Sequence, residues 1–185
     1  SGITVLVRQA DEWTAEVSAD KNIIDRVQTE VVGNTLRIRY RNNTSINGRH
    51  EPTVVRVSCP VLTNISATSG TDITFTNLFE GEALTVHATS AARIDGAIRY
   101  GSLMLSATSG ADITLTGRSR HSTLTATSGA NIDASALVSE EVSASATSGA
   151  HVKTYAHTRL TAKATSGAIV VSVSYTHLTL PTIRL

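Results

Sequence analysis

An all-β, right-handed parallel β-helix is the fold that this 185-residue sequence predicts, and three observations predict it. One phrase recurs six times: Ser66-Ala-Thr-Ser-Gly70, His87-Ala-Thr-Ser-Ala91, Ser106-Ala-Thr-Ser-Gly110, Thr125-Ala-Thr-Ser-Gly129, Ser145-Ala-Thr-Ser-Gly149 and Lys163-Ala-Thr-Ser-Gly167. Its serines stand at 69, 90, 109, 128, 148 and 166, so the steps are 21, 19, 19, 20 and 18 residues, the period of a solenoid coil. Between the copies, apolar and polar residues alternate as in half-buried strands, and only 4% of the chain is aromatic, so the core must be narrow and aliphatic. The hand follows from the strong preference of parallel crossovers.

The first third also alternates. Ile3, Val5 and Val7 read as one strand, Ala15 and Val17 as a second, Leu36, Ile38 and Tyr40 as a third, and Val55 and Val57 as a fourth. Residues 19–25 break the period and predict one helical turn capped by Asp20, after which residues 26–32 resume an extended run. Gly33-Asn34 predicts a tight hairpin turn into Thr35–Tyr40. Residues 41–51 are polar and read as the longest loop, closed by Pro52, and Thr44 to Glu51 is the expected place for partner contacts because loops on rigid scaffolds carry recognition. These strands are expected to pack on the same stack as the coils.

From Val61 each repeat reads as one coil. In the third, Leu103 and Leu105 point inward, the chain turns at Ala107-Thr-Ser-Gly110, and Ile113 and Leu115 point inward again. Ile73 and Phe75 are the equivalent pair, while later coils pair Ile132 with Ala134 and Val152 with Thr154. A coil this short encloses a slim, filled interior without a ligand-sized cavity. The corners Ser69-Gly70, Ser90-Ala91, Ser109-Gly110, Ser128-Gly129, Ser148-Gly149 and Ser166-Gly167 need a small inward residue and a position that accepts positive φ, supplied by alanine and glycine. Ala91 replaces that glycine once, which predicts local strain relieved by Ala91→Gly.

The pairing of Gly2-Ile-Thr-Val-Leu-Val-Arg-Gln9 and Val17-Ser-Ala-Asp-Lys-Asn-Ile-Ile24 with coils of Ala-Thr-Ser-Gly-Ala-Asp-Ile resembles the head GIN domain family of auto-transporter adhesins. Thr35-Leu-Arg-Ile-Arg39 and Val57-Ser-Cys-Pro-Val-Leu-Thr-Asn-Ile65 extend the resemblance over residues 2 to 173. It implies a β-helical exported protein of Bacteroidetes-type bacteria, in the periplasm or at the outer surface, and it carries no catalytic residues. The expected domain is therefore residues 1–173. Residues 174–185 have neither the phrase nor the coil spacing; they resemble translated vector read-through, with a strand capping the stack as the alternative. The chain starts inside a strand without methionine, from which an upstream export segment is expected, with lipoprotein anchoring as one form of it.

Composition narrows the function. With 16 basic and 15 acidic side chains and no basic run, nucleic acid is not an expected partner. No apolar stretch reaches the roughly 18 residues that a spanning helix needs. Cys59 is the single cysteine and reads as a buried strand residue, which excludes an intrachain disulfide. The position two residues after each corner holds Asp72, Arg93, Asp112, Asn131, His151 and Ile169 in turn, a surface ladder in which Arg93 separates two carboxylates. With Asp95 and Asp133 nearby, the same ladder offers the alternative of a carbohydrate-active β-helix using Asp72, Asp112 and Asp95, by analogy with carboxylate-bearing polysaccharide hydrolases.

Of the six histidines (50, 87, 121, 151, 157 and 177), only His151 and His157 lie close together, without an acidic neighbour, so no metal or other cofactor is expected. No Gly-x-Ser-x-Gly elbow and no phosphate loop occur. Thr74 with Thr76 and Thr114 with Thr116 suggest a short threonine array that later coils do not continue. The expected function is non-catalytic, adhesin-like binding of a surface glycan or protein, with a purely structural envelope role as the remaining alternative.

Overall fold

Nearly every strand is a rung of one parallel stack. The computed structural model describes residues 2–41 and 51–173. Its elements run β1 (Thr4–Gln9), β2 (Thr14–Ser18), α1 (Lys21–Ile24), β3 (Val27–Val32), β4 (Thr35–Tyr40), β5 (Val54–Cys59), β6 (Asn64–Ala67), β7 (Asp72–Phe75), β8 (Phe79–Ala88), β9 (Arg93–Ala107), β10 (Asp112–Ala126), β11 (Asn131–Thr147), β12 (His151–Thr165) and β13 (Ile169–Ser172). The large sheet has the order β13-β12-β11-β10-β9-β7-β1-β5-β2, with β6 and β8 joining it beside β9. All its pairings are parallel except that of β2 with β5. The chain is therefore a parallel β-solenoid.

Inward residues stack in columns because the side-chain period of a strand is two and the coils are in register. Ile73, Ile94, Ile113, Ile132 and Val152 stand above one another, as do Val86, Leu105, Leu124 and Ala144. All are buried. Taking each large aliphatic side chain out of water contributes about 1.5–3 kcal/mol, and the same positions exclude a channel through the middle. Phe75 fills the place beside Gly96, where a Cβ would lie 2.4 Å from the ring, and the Phe75 and Phe79 rings meet at 5.0 Å. Alanines 88, 107, 126 and 146 before the corners and 92, 111, 130 and 150 after them are also buried, small side chains that fit the narrow corner.

The N-terminal strands β1, β2 and β5 join the same stack as the coils. β1 is itself a rung between β5 and β7, with Val5 opposite Val55 and Ile73, and Val7 opposite Val57 and Phe75. Gln9 fastens it: its side-chain amide donates to the carbonyls of Pro60 (2.8 Å) and Glu80 (3.0 Å), and its Oε1 accepts the Glu80 N–H. β2 runs antiparallel along β5 and ends the stack on that side. The hairpin β3–β4 forms a sheet of its own, turned at Gly33 (φ 59°), and packs on the core through Ile38 and Tyr40. Asp20 stands at the start of α1, but its side chain does not cap the helix. Its main-chain carbonyl already accepts the Ile23 and Ile24 amides, which frees Oδ2 to accept the Glu51 N–H at 3.0 Å. The 42–50 part of the predicted loop, with His50, and the 174–185 tail, with His177, lie outside the described residues.

Candidate functional site

Each Thr-Ser-Gly phrase closes a two-residue turn, and both central residues are left-handed. Ser69, Ser90, Ser109, Ser128, Ser148 and Ser166 have φ of 53–57°, while Gly70, Gly110, Gly129, Gly149 and Gly167 have φ of 68–74°. Ala91 takes 59°. The phrase by itself predicts positive φ at the glycine position alone. The turn requires it twice, because positive φ at both central residues, with an N–H bond from the fourth residue to the first carbonyl, defines type I′. Those bonds are present, from Thr71 to Thr68 (3.3 Å) through Ala168 to Thr165 (3.2 Å). The turns also bond to one another: the amides of Gly70, Ala91, Gly110, Gly129 and Gly149 donate to Ser90, Ser109, Ser128, Ser148 and Ser166 at 3.0–3.2 Å. The corner is thus a continuous hydrogen-bonded edge, which gives the phrase a structural reason to repeat.

The predicted ladder forms in register: Asp72 faces Arg93, Arg93 faces Asp112, then come Asn131, His151 and Ile169. Arg93 pairs with Asp72 at 3.6 Å, and among the described residues Asp112 has no ion pair, so Arg93 bridges one carboxylate rather than two. The next row outward is Thr74, Asp95, Thr114, Asp133 and Lys153. Asp95 therefore separates the two threonines that the sequence suggests as an array. Burial, together with Asp72 and Asp112, raises the Asp95 carboxyl above its ordinary range against the pull of Arg93 and a hydrogen bond from Thr114. Burial also acts to raise Asp133, but the Ser135 hydroxyl and amide and the Lys153 ammonium outweigh it and hold that carboxyl low. Lys153 lies 3.6 Å away.

A second feature lies around the coil from this ladder. Glu80, Arg99, Arg118, Val138 and Tyr155 form one cross-strand row, and Gly81, Tyr100 and Ser119 follow one residue later. With Glu82, Gly101, Arg120, Glu140 and His157 they line an open groove of about 950 Å³ that crosses β8 to β12. Glycine shapes it: a Cβ on Gly101 would meet the Arg120 guanidinium at 2.7 Å, and one on Gly81 would meet the Tyr100 ring at 2.6 Å. Arg120 consequently reaches across Gly101 to Glu82 (3.6 Å), and Arg99 pairs with Glu80. Arg118 makes no ion pair among the described residues. Tyr100 turns inward, donating its hydroxyl to the Leu62 carbonyl at 2.8 Å, and burial together with Cys59 pushes its pKa up to about 12.

A profile of the family described as "Putative auto-transporter adhesin, head GIN domain" matches residues 1–174. The chain belongs to that family. Solved structures similar to this head GIN chain include a putative adhesin from Bacteroides fragilis NCTC 9343, with 16% identity, a TM-score of 0.79, and coverage of 97% of this chain and 88% of that one. A protein from Parabacteroides distasonis ATCC 8503, named a putative lipid binding protein, has 14% identity and a TM-score of 0.67, covering 94% and 89%. A putative adhesin from Parabacteroides merdae ATCC 43184 has 12% identity and a TM-score of 0.68, covering 98% and 89%. At these identities the likeness shows a shared fold. A comparison with curated protein sequences returns no match.

In the head GIN chain, the corner residues and the ladder stand on one side of the solenoid, and the groove uses none of them. His121 and Arg159 both face Glu141, His121 at 3.7 Å. Among the described residues, no group of three acidic, histidine or cysteine side chains is arranged to hold a metal, and no helix is long and apolar enough to cross a membrane. Cys59 is buried, and burial raises its thiol pKa. Nothing in the corner phrase points to the groove, so the sequence reading missed it. Its signal is the same period read from other positions: Glu80, Arg99 and Arg118 are spaced 19 residues apart.

Proposed function

We propose that this head GIN domain is a non-catalytic binding module, exported to the periplasm or outer surface, that engages a surface glycan or protein through the side of its solenoid. The groove across β8 to β12 carries this reading: five coils contribute polar side chains to one continuous depression. Parallel rungs hold those side chains at fixed spacing, so a ligand meets a pre-organised surface and binding costs little ordering. Family membership supports an adhesive role, and the Bacteroides and Parabacteroides neighbours are in keeping with export.

One observation favours a second reading. Asp95, whose carboxyl is raised by burial and by the charges of Asp72 and Asp112, is the residue that a carbohydrate-active reading would use as its general acid. Incubation of the protein with a panel of bacterial polysaccharides, scored for both retention and new reducing ends, separates the two. Retention without cleavage supports the binding module, whereas cleavage that disappears in Asp95→Asn or Asp112→Asn overturns it. Retention of phospholipid vesicles alone would instead favour a lipid ligand, the role that the name of the Parabacteroides distasonis neighbour gives to that protein.

A further inference from the structure

We infer that the groove recognises an acidic oligosaccharide of low charge density, with Arg118 as the residue that meets its carboxylate. This rests on the binding-module reading and assigns it a ligand class. The observation behind it is an electrostatic mismatch. Arg118 stands directly opposite Arg99 on the neighbouring coil, an arrangement of like charges that works against pairing of the two strands. Arg120 is two residues further along the same strand. Glu80 neutralises Arg99 and Glu82 neutralises Arg120, whereas the rung on the other side of Arg118 presents Val138, which accepts nothing. A guanidinium with five donors is therefore left in the groove with no acid directly opposite it on either neighbouring rung. A carboxylate placed there would take a two-pronged hydrogen bond and relieve the repulsion at once.

The rest of the lining narrows the ligand. Five coils at about 4.8 Å per rung make a depression roughly 19 Å long, which suits an extended chain of several rings. Tyr155, half-buried at the end of the Arg118 row, offers a flat aromatic face on which a sugar ring can stack. Glu140 also makes no ion pair among the described residues and offers acceptors to hydroxyl groups. Glu80, Glu82 and Glu140 together repel a densely charged polyanion, which disfavours nucleic acid and heavily sulfated chains. Val138 is the one aliphatic side chain of the lining, too little apolar surface for an acyl chain.

The test is calorimetric titration of the whole chain with tetrasaccharides bearing a single glucuronate or galacturonate, and with their carboxyl-reduced counterparts. We expect saturable binding of the acidic forms, weakened about tenfold or more by carboxyl reduction and by Arg118→Ala, with Arg118→Lys intermediate because lysine cannot form the fork. Circular dichroism of each variant confirms that the fold is kept. Equal affinity for the reduced sugars, unchanged binding by Arg118→Ala, or no binding of any acidic tetrasaccharide overturns the inference. Capture of a neutral glycan or a protein on a mixed array would then leave the binding-module reading standing, and a blank array would remove both.

Discussion

The left-handed corners allow a clean measurement of backbone strain. Ala91 has φ 59°, where a Cβ costs about 1–2 kcal/mol through crowding against the following carbonyl. Replacing it by glycine removes that cost but gives the unfolded chain freedom worth about 0.4–1 kcal/mol, so Ala91→Gly should stabilise the protein by about 0.5–1 kcal/mol net. The mirror experiment is Gly110→Ala, at φ 69°, where a Cβ meets nothing within 4 Å. No clash contributes there, so Gly110→Ala should destabilise by the same amount. Gly117 is the contrast: at φ 115°, a Cβ would lie 2.0 Å from the Ile98 carbonyl oxygen, and Gly117→Ala should cost about 3 kcal/mol or more. Urea titration followed by circular dichroism reads all three as midpoint shifts at constant slope. A lowered midpoint for Ala91→Gly, or a raised one for Gly110→Ala, would refute the argument from turn geometry.

Thr154 is inward, 1% exposed, and its hydroxyl has no hydrogen-bond partner among the described residues; Thr154→Val keeps the shape, removes the stranded group and should raise stability by about 1 kcal/mol in the same assay. Asp133 has a folded-state pKa below its unfolded value, so its contribution is present above the ordinary carboxylate range and is lost as pH falls through the lowered value. Asp133→Asn should accordingly destabilise by about 1 kcal/mol at pH 7, with the difference shrinking in acid; an equal loss at all pH values would contradict the assignment. Arg118→Ala should slightly stabilise the unliganded chain, by about 0.2–1 kcal/mol at low ionic strength and less in high salt, since it removes the opposition of Arg118 to Arg99.

The coil period is readable because the corner leaves the chain little choice. A preceding alanine in all six copies, a following one in five, and a turn requiring positive φ twice restrict the residues so strongly that the phrase recurs six times. Inward positions such as Leu105 and Ile113 are legible from alternation alone. The neighbours of β1 are not, since alternation says which face Val5 and Val7 occupy and nothing about which rung lies beside them; β1 joins β5 and β7, strands roughly 50 and 70 residues away. Asp20 reads as a cap by residue type, yet the partner that decides its role, the Glu51 amide, arrives from across the chain. The groove is hidden for a related reason. Arginines and glutamates on exposed strand faces look like ordinary surface until the register puts Arg118 between Arg99 and Val138, with no acid directly opposite it.

Spin-label distances along the corner column test the stacking on which everything else depends. With Cys59 replaced by alanine, labels introduced pairwise at Ser69 and Ser148, and at Ser69 and Ser166, span four and five rungs, about 19 Å and 24 Å at 4.8 Å per rung. Pulsed dipolar spectroscopy should return two distances that differ by a single rung. Distances that fail to grow from the first pair to the second, or that exceed this scale severalfold, would contradict the in-register solenoid.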